Sequence, residues 1–496
     1  MKKLILSAIA ILTIAASCDK VEPVKPPVEE GEQILYNGNQ IGSGVQEFEI
    51  KENHTLKKGT YLLKGWVYVT SGATLTIEPG TVIKGDKDTK AALIVERGGK
   101  IIAQGTKDLP IVFTSAQPAG SRKPGDWGGV IICGNASNNK NEMIIEGGPR
   151  SKHGGDNDAD NSGVLSYVRI EFAGYPFKAD QEINGLTLGS VGNGTKIDHI
   201  QVSYSNDDSF EWFGGTVNAK YLISYHGWDD DFDTDSGFRG KIQFGLIVKH
   251  PKIADKSISN GFESDNNSDA PNQLPITRPI FSNITIIGPV GQDPQFVNNT
   301  SYIDGGAYNP NNGSKLGQHQ AGVQIRRGSN LHLYNSVIAG FPVGLMICND
   351  KGSQTQSAAS DGRIGIKNIY LVNSGILGSD KDASFKDSLS TNASTFDKTA
   401  AESFASGFFK QASNKNHIFS DLSDIALKQP NSLLTGANWG PTSTSPLKGK
   451  SGLFDETLLT DQFFDKVDFI GAFRGDSSSD NWTSGWANFN PQNTVY

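Results

Sequence analysis

The chain has 496 residues, a formal net charge of −8 and 57 glycines. Its 45 lysines and arginines form no basic run, which argues against nucleic acid as a partner. Three cysteines in a chain of this length exclude a disulfide scaffold. The many glycines and short β-branched runs predict a large all-β protein built from many turns.

The first eighteen residues have the pattern of an export signal. Lys2 and Lys3 precede an apolar run from Leu4 to Ala16, which is too short to span a membrane. The segment ends in AASC at Cys18 and resembles the lipobox of bacterial lipoproteins. That resemblance implies a lipidated Cys18 and an exported, surface-exposed protein held at the outer membrane by its lipid alone. An ordinary signal peptide that contains a cysteine is the alternative.

The next segment, residues 19–44, predicts a disordered tether. It opens with DKVEPVKPPVEEGEQ, which combines charges and prolines with few apolar side chains. Such a composition cannot bury enough apolar surface to fold. The body of the protein is therefore expected to stand off a membrane surface without entering it.

A repeat of about 22 residues runs through the body. VYVTSGATLTIEPGT aligns with LIVERGGKIIAQGT at an offset of 26 residues, which matches Val67 with Leu93 and Leu75 with Ile101. Each unit reads as a short strand, a glycine turn and another short strand with alternating apolar residues. AGVQIRRG and VGLMICND repeat at an offset of 22 residues.

The middle of the chain repeats around an aromatic residue. Phe210, Phe232 and Phe262 align at steps of 22 and 30 residues, and Val323 takes the same place in the next unit. Strands at this period without helix signals predict the coils of a parallel β-helix, whose stacked coils share one core. A β-propeller needs repeats of about 40 residues, and a β-sandwich needs regular hairpin turns; neither pattern is present.

Several motifs also resemble a known family. GATLTIEPGTVIKG, LIVERGGKIIAQGT, PIVFTSA, GDWGGVIICGNA and NDDSFEWFGGTVNAKYL are similar to right-handed parallel β-helix proteins of the pectate-lyase-like superfamily. More narrowly, they are similar to an uncharacterised group of Gram-negative surface lipoproteins. The resemblance runs from about Gly59 to Gly378 and implies a right-handed parallel β-helix over residues 45–380.

The C-terminal segment, residues 381–496, breaks the period. TAAESFASGFF has helix-like spacing, and the rest is rich in loops and aromatic residues. Because the coils at the end of a solenoid need covering, we expect this irregular segment to pack against the end or one flank of the β-helix. A separate C-terminal binding module is the alternative.

Acidic residues collect on one predicted face. GWDDDFDTDSGF has five aspartates within seven residues. If Phe232 faces the core, strand alternation turns four of them outward, namely Asp229, Asp231, Asp233 and Asp235. The repeat then stacks two outer columns. They are Glu211, Asp233, Glu263 and Gln324 in the first, and Phe213, Asp235, Asp265 and Arg326 in the second. Asp207 and Asp208, together with Asp230 and Asp231, fall in the turn that leads into these strands.

So many carboxylates in one place need protons, basic partners or a cation to offset their repulsion. Oxygen ligands in this number suit calcium, which takes about six to eight of them. The sequence predicts a calcium ion with Arg326 closing one end. The candidate ligands are Glu211, Asp231, Asp233, Asp235, Glu263 and Asp265. An acidic groove that holds another cation or a polar ligand, and a merely solvated acidic face, are the alternatives.

A second acidic stretch, GDNDADNSG, is a weaker candidate. Asp156, Asp158 and Asp160 alternate as in a calcium loop, but Asn161 replaces the required glycine and Tyr167 takes the place of the closing glutamate. The pattern favours a disordered acidic loop.

The superfamily resemblance implies two enzymatic alternatives. Its polysaccharide lyases bind calcium on outer aspartates and abstract a proton from a uronate with an arginine or lysine. Carried over, Arg326 is the first candidate base, with Arg239 and Lys220 behind it. Its glycoside hydrolases use paired carboxylates, for which Asp207 and Asp208 are candidates. The complete motif set of neither class is present.

The favoured hypothesis is therefore a non-catalytic surface protein that binds a glycan or another envelope component along the solenoid. Trp228, Tyr225 and Arg327 are candidate ligand-binding residues beside the acids. Trp212 alternates in register with Phe210, so it is predicted to lie in the core. The oligomeric state has no signal in the sequence.

Overall fold

Parallel strands dominate the regular structure, which is a computed structural model and describes residues 35–36, 38–45, 47–177, 183–310, 312–374, 379–381, 384–386 and 403–496. Over those residues, one sheet has ten parallel strands. They are Phe48–Ile50, Trp66–Val69, Ala92–Val95, Gly129–Cys133, Leu186–Gly189, Phe210–Phe213, Phe232–Asp235, Phe262–Ser264, Ala321–Ile325 and Val343–Ile347. The predicted signal peptide, residues 1–18 with Cys18, lies outside the described residues.

A second sheet has eighteen strands among the described residues. They are Leu35–Tyr36, Gln40–Ile41, His54–Leu56, Thr60–Leu63, Thr74–Ile77, Val82–Gly85, Lys100–Gln104, Ile111–Ser115, Gly163–Glu171, Lys196–Ser203, Asn218–Tyr225, Lys241–Val248, Ile280–Ile287, His332–Tyr334, Val337–Ala339, Gly365–Lys367, Tyr370–Val372 and His417–Phe419. The chain passes between the two sheets coil after coil, which confirms the predicted all-β, right-handed parallel β-helix.

Short helices and short antiparallel strand pairs make up the rest of the described regular structure. The α-helices are Pro289–Gln292, Thr355–Ser360 and Phe404–Phe409, and the 3-10 helices are Gly306–Tyr308, Asp350–Gly352, Ala412–Asn414, Leu422–Ile425 and Thr457–Leu459. In the described parts of the chain, three antiparallel pairs of strands lie outside the two large sheets. They join Met143–Ile144 with Lys152–His153, Ser379–Lys381 with Ser384–Lys386, and Leu427–Gln429 with Asn438–Pro441. None of the helices in the described residues is long and apolar enough to cross a membrane.

The predicted register is confirmed in the core. Phe210 pairs with Phe232, Phe232 with Phe262, and Phe262 with Val323. The three phenylalanine rings pack edge to face with centroids 5.4 and 5.2 Å apart, and all three side chains are buried. Burial of one such side chain contributes about 1.5–3 kcal/mol. Trp212 is also fully buried, as predicted.

The solenoid begins earlier than predicted. Gln40–Ile41 pairs in parallel with Leu62 and Leu63, and Ile41 is 2% exposed. The first coil therefore enters the range 19–44 that composition assigned to a tether, because a single buried isoleucine anchors it. The rest of that range up to residue 34 lies outside the described residues.

A ladder of rings marks the bend in the long strands. Tyr167, His199, Tyr221 and Phe244 each adopt a positive φ, and successive rings stack 4.2, 4.4 and 5.0 Å apart. Trp482 of the C-terminal segment lies 5.3 Å from the Tyr221 ring. The irregular segment thus packs along one flank, as expected from the need to cover the coils.

Candidate functional site

The outward side chains of three adjacent strands form an acidic column. Glu211 lies beside Asp233, and Asp233 beside Glu263, in neighbouring strands of the ten-stranded sheet. Such strands are about 4.8 Å apart, so the carboxylates cannot avoid one another. They line a groove of about 640 Å³, here named the acidic groove, whose lining includes nine acidic and three basic residues.

The turn that leads into these strands adds a second row of acids. Asp208 Oδ1 accepts from the amide of Asp230 at 2.9 Å, and Asp230 Oδ1 accepts from the amide of Asn260 at 2.5 Å. Asn260 Oδ1 continues the ladder by accepting from the amide of Ala321 at 3.0 Å. Each side chain caps the coil above it, which holds Asp208 and Asp230 at the edge of the groove.

Two trios of carboxylates bring oxygens within 4.8 Å of one another. They are Asp207, Asp208 and Asp229, and Asp208, Glu211 and Asp233. Asp208, Glu211 and Asp233 form no ion pair with any described residue, and the buried Oδ1 of Asp233 has no hydrogen-bond partner. An all-oxygen set with an unpartnered buried atom fits a hard divalent cation such as calcium.

Electrostatics in the groove favour protons or a cation. Burial raises the pKa of Asp208, Glu211, Asp230 and Asp233 well above the ordinary range, and neighbouring carboxylates raise it further. Burial followed by the charge of Asp255 raises the pKa of Asp229 to about 7. A bound cation would replace these protons, because carboxylates bind metals in their ionised form.

Four of the predicted ligands have basic partners: Asp235, Glu263 and Asp265, and also Asp231, which is described below. Arg326 bonds to Glu263 and, at 2.8 Å, to Asp265, while Arg327 bonds to Asp265 at 2.5 Å. Lys140 lies 3.8 Å from Asp235. The carboxylate oxygens that lie close together in the two trios therefore do not belong to Asp235, Glu263 and Asp265. They belong to residues of the lead-in turn and to Glu211 and Asp233. The aspartates of that turn carry a sequence signal, since Asp208 and Asp230 stand at the same place in the 22-residue repeat.

Asp231 is not among the groove ligands, contrary to the prediction. Its side chain is fully buried, accepts from Ser224 Oγ at 2.5 Å and lies 3.2 Å from the equally buried Lys249. Asp231 precedes the strand Phe232–Asp235, so strand alternation does not govern its direction. Burial raises its pKa to about 6, although Lys249 opposes that shift.

The prediction that Trp228 and Tyr225 are exposed residues that stack on a ligand is also wrong. Trp228 is fully buried, and Tyr225 is 2% exposed with its ring 5.1 Å from that of Phe489 in the C-terminal segment. The Tyr225 hydroxyl donates to the Phe489 carbonyl at 3.2 Å. Phe177, which is half-buried and lines the acidic groove, is the aromatic residue that sequence reasoning missed.

The candidate bases are all held in ion pairs. Burial disfavours the charge on Arg326, but Glu263 and Asp265 outweigh it and keep the pKa of the guanidinium well above its usual value. Arg239 bonds to Asp158 at 2.9 Å, and Lys220 to Asp465 at 2.8 Å on the other sheet.

The second acidic stretch is not the disordered loop that its composition suggested. Asp158 accepts from the amide and hydroxyl of Ser137 at 3.0 and 2.6 Å, in addition to its bond from Arg239. Burial opposes ionisation of Asp158, but these hydrogen bonds and the guanidinium lower its pKa overall. Asp158 therefore satisfies donors of the protein itself.

Stacked parallel sheets with a polar groove on the outer face of one sheet define a solenoid protein of the β-helix class. The chain belongs to the family described as "Pectate-lyase like beta helix domain", which matches residues 48–411. Among solved structures, pectate lyase Pel9A is similar over 82% of this chain and 89% of its own, at 12% identity and a TM-score of 0.34. No curated protein matches the chain.

Proposed function

We propose that the protein is a surface lipoprotein, anchored through Cys18, that binds a glycan or another envelope component along the acidic groove with the help of calcium. The observation that carries the proposal is the convergence of Asp208, Glu211 and Asp233, whose oxygens lie within 4.8 Å of one another. Membership of a pectate-lyase-like family supports a role connected with polysaccharides.

Calcium would supply positive charge that the groove lacks at its centre. It would be held by Asp208, Glu211 and Asp233, and it would offer open coordination positions to hydroxyl or carboxylate oxygens of a sugar. Arg326 and Glu263 would close one end of the groove as a neutralised pair.

Binding without cleavage is favoured over a calcium-dependent lyase. A lyase needs a base near the metal, and the first candidate, Arg326, is a guanidinium whose pKa is raised by two carboxylates. Arg239 and Lys220 are engaged by Asp158 and Asp465.

The first experiment is calorimetric titration of the chelator-treated full chain with calcium. We expect binding that is lost in the double variant Asp208→Asn, Asp233→Asn and kept in Asp158→Asn, which removes a carboxylate already satisfied by Arg239. Absence of binding, or equal loss in the Asp158 control, would remove calcium from the proposal.

The second experiment uses a uronate-rich polysaccharide. We expect retention of the polymer in calcium and release by chelator, with no rise in the ultraviolet absorbance of unsaturated sugar ends. A calcium-dependent rise in that absorbance would contradict the binding hypothesis and establish the lyase. Failure of the polymer to bind in calcium would contradict both.

A further inference from the structure

A second cavity lies on the eighteen-stranded sheet, away from the acidic groove. It has a volume of about 700 Å³, which is within the range of roughly 300–1,000 Å³ for small-molecule sites. The strands His332–Tyr334 and Gly365–Lys367 and residues 456–458 contribute to its lining, and none of its lining residues lines the acidic groove. It is here named the basic cavity.

Two buried polar atoms at the basic cavity have no partner. They are Nε2 of His332, whose residue is 3% exposed, and Oδ1 of Asn330, whose residue is 7% exposed. The other ring nitrogen of His332 is engaged with the Tyr334 hydroxyl at 3.0 Å. Buried polar atoms without partners are rare and costly, so these two point to a ligand that satisfies them.

The geometry of the His332–Tyr334 pair depends on the next coil. A Cβ atom on Gly365 would lie 2.5 Å from the Tyr334 hydroxyl and 2.7 Å from His332 Nδ1. Both distances are too short for a Cβ atom. Any residue other than glycine at this position would therefore displace the His332–Tyr334 pair. The cavity wall is thus shaped by three residues of two successive strands.

Positive charge dominates the lining. Arg278, Arg363 and Lys367 line it with a single acidic residue, Glu456, which bonds to Lys367 at 2.8 Å. Arg363 bonds at 3.0 Å to Asp361, which lies outside the lining. Arg278 is exposed and forms no ion pair with any residue that the structure describes. In a chain whose net charge is −8, a cavity with this excess of cations is complementary to an anion.

We propose that the basic cavity is a calcium-independent binding site for an acidic sugar, with the sugar carboxylate at Arg278 and its hydroxyls at His332 and Asn330. A simple oxyanion satisfies only part of this lining, because Asn330 Oδ1 accepts hydrogen bonds and needs a donor. A sugar acid supplies both the anion and the hydroxyl donors. The site is separate from the proposed calcium groove and does not depend on it.

The test is calorimetric titration of the full chain with D-glucuronate in the presence of chelator, with glucose and inorganic sulfate as comparators. We expect glucuronate to bind more tightly than either comparator and Arg278→Gln to weaken it at least tenfold. Arg474→Gln, which removes the same charge from another exposed position, should leave the affinity unchanged. The groove variant Asp208→Asn, Asp233→Asn should also retain it, which separates this proposal from the calcium one.

A second variant tests the sugar assignment. Asn330→Leu should weaken glucuronate and leave sulfate unaffected, because sulfate offers no donor to Oδ1. Absence of glucuronate binding, or equal binding to Arg278→Gln, would overturn the site. Glucose binding as tightly as glucuronate would overturn the role of charge, and sulfate binding as tightly as glucuronate would overturn the sugar. If Asn330→Leu does not fold, Arg278→Gln still decides the first point.

Discussion

The acidic groove and the basic cavity are made by the same kind of coil and carry opposite charge. In the groove, nine acids meet three basic residues, and burial raises the pKa of carboxylates such as Asp208 and Asp233. In the cavity, three basic residues meet Glu456, and the unpartnered atoms belong to His332 and Asn330. One sheet therefore offers oxygen ligands, and the other offers cations.

The difference shows how a solenoid separates stability from recognition. Inward residues such as Phe232 and Leu333 are fully buried and fix the stacking of the coils. Outward residues of the same strands, Asp233 and His332, are then free to differ in charge from coil to coil. Each outer face can host its own chemistry as long as the core column continues.

The largest effect is expected from the buried charge beneath the groove. Lys249→Met leaves Asp231 buried without its cation, and loss of one partner of a fully buried ion pair costs about 3–5 kcal/mol. Urea unfolding at pH 7 measures the change. Adding Asp231→Leu should restore most of the loss, because no uncompensated charge is then left. A single variant as stable as the wild type would show that the pair does not support the groove.

Much of the groove could be predicted from the sequence, because register is strongly specified in a β-helix. A slip of one residue would turn Phe210 and Phe232 outward, so the alignment that buries them also places Glu211 beside Asp233. Strand alternation fails outside the strands. Trp228 follows a turn that begins at His226, whose φ is 61°, and its direction has no sequence signal.

The choice of partner for Asp265 was out of reach of the sequence. The repeat places Arg326 beside Asp265 although 61 residues separate them, but the choice between this guanidinium and a cation depends on where a long side chain reaches. The basic cavity joins Arg278, His332 and Glu456, which share no repeat position or motif. Contacts of this kind follow from how coils and the C-terminal segment pack, which local patterns do not encode.

A smaller effect is expected from relieving repulsion in the groove. Asp233→Asn should stabilise the chelator-treated protein at pH 8 by up to about 3 kcal/mol, the interaction of two charges some 5 Å apart at an effective dielectric of 20. The folded-state pKa of Asp233 is raised, so its contribution to stability is present below about pH 4 and is lost as pH rises through that raised pKa. The gain should therefore vanish near pH 4.

Unfolding curves from pH 4 to 8, with chelator and with calcium, check this expectation. Calcium should cancel the advantage of the variant at pH 8, because the wild-type carboxylates then bind the cation. Asp158→Asn serves as the control with the opposite sign, since the pKa of Asp158 is lowered and its charge stabilises the folded state. A variant that is less stable than the wild type at pH 8 in chelator would contradict the repulsion argument.

The smallest effect is expected at the basic cavity, with the opposite dependence on pH. Burial lowers the pKa of His332 to about 3, with Arg278 and Lys367 adding to the shift, so the imidazole stays neutral in the folded protein while the unfolded chain takes up a proton near pH 6.5. The wild type should lose about 2 kcal/mol more than His332→Phe between pH 7 and pH 5. Replacement of the exposed His417 by phenylalanine should not change the wild-type slope. Equal slopes for His332→Phe and the wild type would mean that His332 already takes up a proton in the folded state, where water or an anion stabilises its charge. The groove and the cavity would then differ in their lining residues but not in the pH dependence of stability.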